Sequence, residues 1–531
     1  MRHLLPLLCL LALALMACDG IAFSAAEVLP TPTAEPSPTH TPTATATWPA
    51  TALPITPTPT LAPPATPTPT TGPLFYVAPE GDDRLGDGTR ARPWATISHA
   101  VRRVPDGATI TVAPGVYHGR VDLVGRFAEG ITIRAERPYQ SALRHTDTVV
   151  TIFYAQGITL EGFDIAHTGP NATFYLVQIQ DFLRQTGDGQ AATSRITLRN
   201  NILHDSYGLD ILKINNGARN ITVEGNLFYN HGSSGHQIDV NSAADVLIQD
   251  NVFMSDYEGS GRPNTNETRS FVAIKDSNGA QDDLVASQRV ILRRNIFLNW
   301  QGSTGSHFLA LGEETTTYYQ AREILVENNL FLGNSPHPML SAWGIKGAID
   351  VTFRHNTMTG DLPAFAFAMR LNVPANNPPN ERIAFYNNLW NDPTGTMGQA
   401  NTADAPRFAL GQPAQVGEFA LHNNLYWNGG IGIPFAEELA VNYTADSQRL
   451  IGDPYLPEVG EVVLPRWLPN ERRFADGSTA VGELFERLVI RYALPELGGA
   501  GLDAADPAFA AEEDILQRPR TGGADVGAVE R

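Results

Sequence analysis

Apolar and polar residues alternate with period two through much of the chain, in short runs rich in Ile, Val, Leu and Phe, the pattern of strands. One run keeps returning. "ITVEGNLFYN" at 221–230 is followed by "VLIQDNVFMS" at 246–255, "VILRRNIFLN" at 290–299 and "ILVENNLFLG" at 324–333. The shared frame puts Asn201, Asn226, Asn251, Asn295, Asn329, Asn356, Asn388 and Asn424 in one register, while two earlier frames, "ITIRAERP" from 131 and "ITLEGFDI" from 158, lack the asparagine. Successive asparagines are 25, 25, 44, 34, 27, 32 and 36 residues apart, a floor with variable excess that marks a repeat whose insertions are loops. Each repeat is too short for a strand–helix–strand crossover, so each strand must stack on the next coil. The pattern predicts an all-β, single-chain, right-handed parallel β-helix over 73–430. Its asparagines would form an amide ladder at a bend, and Phe228, Phe253, Phe297 and Phe331 would stack in the core.

Before the first coil, "PWATISHAVRRV" places Trp94, Ile97, Val101 and Val104 on one face of a short helix near 93–104. Such a helix would cap the open sheet edge. The stretch "FYVAPEGDDRLGDGTRARPWATISHAVRRVPDGATITVAPGVYHG" (75–119) resembles the opening of bacterial pectate-lyase-like β-helix proteins. "GLDAADPAFAAEEDILQRPRTGGADVGAVE" resembles the C-terminal end of secreted members. Residues 431–531 are expected to pack on the solenoid or extend it.

The first seventy residues follow another pattern. "MRHLLPLLCLLALALMAC" has an early Arg and an apolar run too short to span a membrane. Its "LMAC" resembles a bacterial lipobox, which implies a signal peptide over 1–17 and acylation of Cys18. Cys9 and Cys18 are the only cysteines, so no disulfide framework or cysteine metal site forms in the mature chain. Residues 18–72 are mostly Pro and Thr, which cannot bury enough apolar surface to fold and read as a disordered stalk. The expected location is the extracytoplasmic face of a bacterial envelope. A net charge of −19 argues against nucleic acid and anionic membrane as partners, so the membrane is reached through the anchor alone. A monomer is expected.

A second strand precedes most asparagine frames. "LVQIQ" (176–180), "ILKIN" (211–215), "QIDVN" (237–241), "FVAIK" (271–275) and "FLALG" (308–312) align with apolar second and fourth positions, which must point inward. The outward third column then reads Gln178, Lys213, Asp239, Ala273, Ala310, and the fifth Gln180, Asn215, Asn241, Lys275, Gly312. His236, Asp210 and Asp276 lie at the edges. In the next coil, "LSAWG" would turn Ser341 and Trp343 outward, Trp343 as a platform for sugar stacking. The longest insertions, 167–174, 255–269 and 276–288, flank this face and would wall a groove.

Two lysines, an aspartate and two asparagines on one face suit β-elimination of a uronate. That reaction needs a base for the C5 proton and a cation beside the carboxylate. Lys213 is the candidate base, Lys275 the carboxylate neutraliser and His236 a further catalytic candidate. Asp239 and Asp210 are candidate ligands for Ca²⁺, which prefers hard oxygens. Asn215, Asn241, Gln178 and Trp343 would contact an acidic polysaccharide. "DILKINNGARNITVEGNLF" resembles the Lys-bearing coil of β-helix alginate and chondroitin lyases, which implies the same roles for Lys213 and Asp210. The Arg those enzymes carry on the next coil has no counterpart in "HQIDVN". "YGLD" (207–210) is similar to the start of the YGFDPH motif of mannuronan C5-epimerases, with Ile211-Leu212 in place of Pro-His. Hydrolysis by paired carboxylates ranks lower, because the third column offers only Asp239. Two bland alternatives stand beside these: Lys213 and Asp239 as a stacked surface ion pair, and a binding module that turns nothing over.

Overall fold

The structure is a computed structural model that describes residues 72–181, 193–264, 267–281, 284–361, 369–371, 373–374, 376–398 and 409–531. The leader, Cys18 and almost all of the stalk lie outside the described residues.

Three columns of parallel strands wind through the chain. The first holds Val177–Gln180, Leu212–Asn215, Ile238–Asn241, Val272–Lys275, His307–Leu311 and Ser341–Ile345, each hydrogen-bonded to the next. The second holds Ser194–Arg199, Arg219–Glu224, Ala244–Gln249 and their successors to Phe419–His422. The third is a twelve-stranded sheet from Gly115–His118 to Leu450–Ile451. All ladders in these columns are parallel, so the chain is an all-β parallel β-helix.

The asparagine frame sits at the bend between the second and third columns. Asn226 Oδ1 accepts both the backbone N–H (2.9 Å) and the side-chain amide (3.1 Å) of Asn201, and the same pair of bonds repeats coil by coil as far as Asn424. Every residue before a ladder asparagine has φ between 51° and 65°: Asn200, Gly225, Asp250, Arg294, Asn328, His355, Asn387 and Asn423. Gly, Asn and Asp tolerate this left-handed conformation most readily, which explains their prevalence there. Inside the bend, Phe228, Phe253, Phe297 and Phe331 stack with centroids 5.1, 4.8 and 4.7 Å apart.

The capping helix is shorter than its pattern predicts, Ile97–Val101, because Thr96 takes the N-cap and accepts from the His99 amide. Trp94 and Val104 are buried beside it without being helical. Residues 431–531 do two things. Asp446 closes the asparagine ladder. Farther on, the helix Val481–Ala493 and its flanks cover the outer face of the third column, burying Ile202, Leu227, Val252, Ile296 and Leu330 with Leu484, Phe485 and Leu488.

Candidate functional site

Lys213 lies opposite Asp239 in the parallel register, one coil apart. Their neighbours Leu212, Ile214, Ile238 and Val240 are locked in the core, so both side chains must leave the solenoid on the same side. They do not reach open water. Lys213, Asp239, Lys275, His236 and Asp210 are only 2–8% exposed, so the surface-pair alternative is corrected: this is a buried charge network.

Two acidic residues from the next loop complete it. Lys275 donates to Glu313 and, at 3.1 Å, to Glu314, and its Nζ is 3.9 Å from Asp239. Lys213 donates to Asp239 and stands 3.9 Å from Asp210. Asp210 Oδ1 accepts the backbone N–H of His236 at 2.7 Å and lies 3.1 Å from its Nδ1, while His236 Nε2 is 3.4 Å from Glu313. Arg269 approaches Glu313 at 3.2 Å from the rim.

The mutual field decides the protonation states. Burial opposes the charge of His236, but Glu313, Asp210 and Asp239 outweigh it and push its pKa up to about 9. Burial likewise opposes Lys213, and Asp239 and Asp210 hold it above the ordinary lysine value. Lys275 is raised against burial by Asp239 and Glu313. Asp239 and Glu313 stay below the usual carboxylate range despite burial, Asp239 because of Lys213 and Lys275, Glu313 because of His236. At neutral pH all of these groups are ionised.

Asp210, His236 and Asp239 present one ligand atom each within 4.8 Å of one another. Asp239 Oδ1 is buried without a hydrogen-bond partner, the kind of orphan that a bound cation satisfies. The set therefore fits a divalent ion. Its two carboxylates suit Ca²⁺ or Mn²⁺, whereas the imidazole suits Zn²⁺ better.

The remaining expected residues divide. Asn241 uses both ends of its amide on Ser277, accepting its N–H at 2.9 Å and donating to its hydroxyl at 2.6 Å. Asp276 ties the following loop, accepting from Asn278, Gly279 and Ala286. Gln178 donates to Gln180. Asn215 remains half-buried beside Lys213, its Oδ1 without a partner. Trp343 is a correction. It aligns with Leu309 and not with an outward position, and its ring lies in the core 4.6 Å from Phe353 and 5.3 Å from Phe331. It cannot stack on a sugar.

Glu313, Glu314 and Arg269 escaped the column alignment because they lie in connections after or before the aligned strands. So did Tyr175, which backbone bonds from Leu176 to Asp210 O and from Ile211 to His236 O put in one column with Asp210 and His236. One signal could have been read. The chain has only three lysines against 34 arginines, and Lys213 lies within, Lys275 ends and Lys346 directly follows a strand of the first column. Arginine does not deprotonate in proteins, whereas lysine is the cation that burial can turn into a base.

The architecture has known parallels. Aligned on pectate lyase Pel9A, the chain gives a TM-score of 0.50 at 14% identity, covering 87% of this chain and 97% of that one. The chain shares the parallel β-helix fold of that protein. XylC in complex with xylose aligns at a TM-score of 0.49 and 12% identity over 86% of this chain and 98% of that chain. An alginate lyase from Paenibacillus sp. str. FPU-7 aligns at 0.41 and 14% identity over 56% and 91%. No protein-family model matches. In sequence, the uncharacterized protein YwoF of Bacillus subtilis is 33% identical over 66 residues, 12% of this chain and 14% of its own length. At these identities the likeness is one of fold.

Proposed function

We propose that this β-helix binds an acidic polysaccharide across its first strand column and cleaves it by β-elimination. The observation that carries the reading is the convergence of Lys213, Lys275, His236, Asp210 and Asp239 into one buried network on a single face.

Roles follow from who holds whom. Lys213 is held by Asp239 and Asp210, which are also candidate metal ligands, whereas Lys275 keeps Glu313 and Glu314 whatever else binds. Lys213 is therefore assigned as the base that takes the C5 proton, once a cation bound by Asp239 and Asp210 has taken its counter-ions and its ammonium has released a proton to solvent, and Lys275 as the fixed positive charge beside the uronate carboxylate. Asp210, Asp239 and His236 would hold a divalent cation, with Ca²⁺ the first to test. Bound there, the ion would help neutralise the carboxylate and stabilise the enolate. His236 gives up a proton on becoming a ligand.

The test is a panel of alginate, pectate and glycosaminoglycans with Ca²⁺, Mn²⁺ or chelator, read at the ultraviolet absorbance of the unsaturated product. Product that disappears in Lys213→Ala supports the assignment. Binding without product, unchanged in Lys213→Ala, supports a second reading, a binding module without turnover. That reading is favoured by the ion pairs that already saturate Lys213 and Lys275. A uronate epimerase would instead change the ratio of uronate epimers without unsaturated product.

We further propose that the mature chain begins at Cys18, acylated on the outer face of a bacterial membrane, with the Pro/Thr-rich segment as spacer. Two or more acyl chains are needed for stable anchoring. Mass spectrometry of the native N-terminus tests this, and an unmodified N-terminus overturns it.

A further inference from the structure

The three lysines are not equivalent. Lys213 and Lys275 are each held by carboxylates, but Lys346 makes no hydrogen bond or ion pair through its ammonium among the described residues. It follows the strand Ser341–Ile345, and the register Ile274 to Leu311 to Ile345 puts Lys275, Gly312 and Lys346 in one column on successive coils. Because Ile345 points into the core, Lys346 leaves on the outer side, as Lys275 does after Ile274. It is half-buried.

Its surroundings carry an excess of positive charge. Burial pushes the Lys346 pKa down, Glu313 opposes this, and Arg370, Arg269 and Lys275 push it down further. Glu313 is already engaged by Lys275, Arg269 and His236. Close by, His307 holds Nδ1 3.2 Å from the Ser341 carbonyl and 3.0 Å from its hydroxyl, which directs the ring proton to Nδ1. Its Nε2 is left as a buried acceptor without a partner, directly above Gly344. A half-buried cation without an anion matches a ligand that offers a carboxylate.

We propose that Lys346 binds the carboxylate of a second uronate unit, so that the polysaccharide lies along the solenoid axis from Lys213 towards Lys346. With coils about 4.8 Å apart, Lys346 is about 10 Å from Lys275 and about 19 Å from Lys213 along the axis. Several sugar units bridge that distance and one does not. The inference rests on the acidic-polysaccharide reading above and deepens it. Arg269 and Arg370 add to the field that draws the polyanion in.

The experiment uses the mature chain with oligouronates of increasing length, prepared from whichever polymer binds. Calorimetric Kd, and KM where product forms, are compared for wild type, Lys346→Met and Lys346→Arg. Wild-type affinity is expected to rise with length until the chain reaches Lys346. Lys346→Met should lose on the order of 10-fold on the longer oligomers, the effect of one charge-assisted contact, and nothing on the shortest, with Lys346→Arg retaining most of the gain. An equal loss at every length, or none at any length, overturns the proposal while leaving the polysaccharide reading intact. Failure of the wild type to bind any oligouronate overturns both. Circular dichroism and thermal midpoints within a few degrees of wild type establish that the variants fold.

Discussion

Asp446 takes over from asparagine at the last rung of the ladder: its Oδ2 accepts the backbone N–H of Asn424 at 3.0 Å and the Asn424 side-chain amide at 2.9 Å. Its Oδ1 accepts the N–H of Asn423 at 3.0 Å. A carboxylate there offers the acceptors that the next asparagine would have supplied.

Removing an internal rung should cost more than removing the end. Asn251→Ala strands the buried backbone N–H of Asn226, removes one bond of the Asn226 side-chain amide and takes a donor from the Val223 carbonyl, and a buried group left unsatisfied costs about 1–3 kcal/mol. Asp446→Ala strands the donors of Asn424, but at the end of the stack, where local opening brings water. Denaturant titration should rank the losses in that order. Solenoids can lose coils separately, so amide exchange of the terminal coils should accompany it.

Stability should fall on the alkaline side. His204 lies 2.9 Å from Asp164 through Nε2 and 2.7 Å from Asp205 through Nδ1, so both ring nitrogens carry protons. Burial opposes that charge, yet the two aspartates push the pKa up to about 9. A folded pKa above the unfolded value means stabilisation in full below about pH 6.5 and lost as pH rises through 9. The stability gap between wild type and His204→Gln should shrink across that window by about 3 kcal/mol. A gap that stays constant with pH would show that the imidazolium is not what holds the network.

The buried charges should be intolerant of single neutralisation. Asp239→Asn leaves Lys213 and Lys275 short of a shared counter-ion, and breaking a buried pair on one side typically costs about 3–5 kcal/mol. It should also abolish any cation-dependent shift of the thermal midpoint. Thermal scans with and without Ca²⁺ or Mn²⁺, on both proteins, measure the two effects together.

Trp343→Ala should behave as a core mutation. The indole packs among Phe331, Phe353, Phe385 and Trp390, so a loss of about 3–5 kcal/mol is expected. Trp343→Phe should recover much of it, since the indole N–H has no partner to lose. Glycan affinity of the folded fraction should not change, and a selective loss of affinity would return Trp343 to the groove.

The repeat, the parallel stacking, the asparagine ladder and the phenylalanine stack were legible in the sequence, because each depends on spacing within one coil and each coil pairs with its neighbour in the same way. The column of Lys213, Asp239 and their inward neighbours was legible for the same reason. The alignment failed at Trp343: it set the indole at an outward position, whereas the structure pairs it with the inward Leu309 in an unbroken register, and in a strand an odd displacement exchanges the two faces. Tertiary structure alone decided that the charges are buried. Glu313 reaches His236 from 77 residues away, and that distance lies outside any repeat period. It also decided what covers the third column. The pair Arg466 and Asp256, 210 residues apart, helps hold the C-terminal segment against coils whose own pattern shows only that their outer positions are apolar. Local alternation fixes which way a side chain points, and only the assembled solenoid fixes what it meets there.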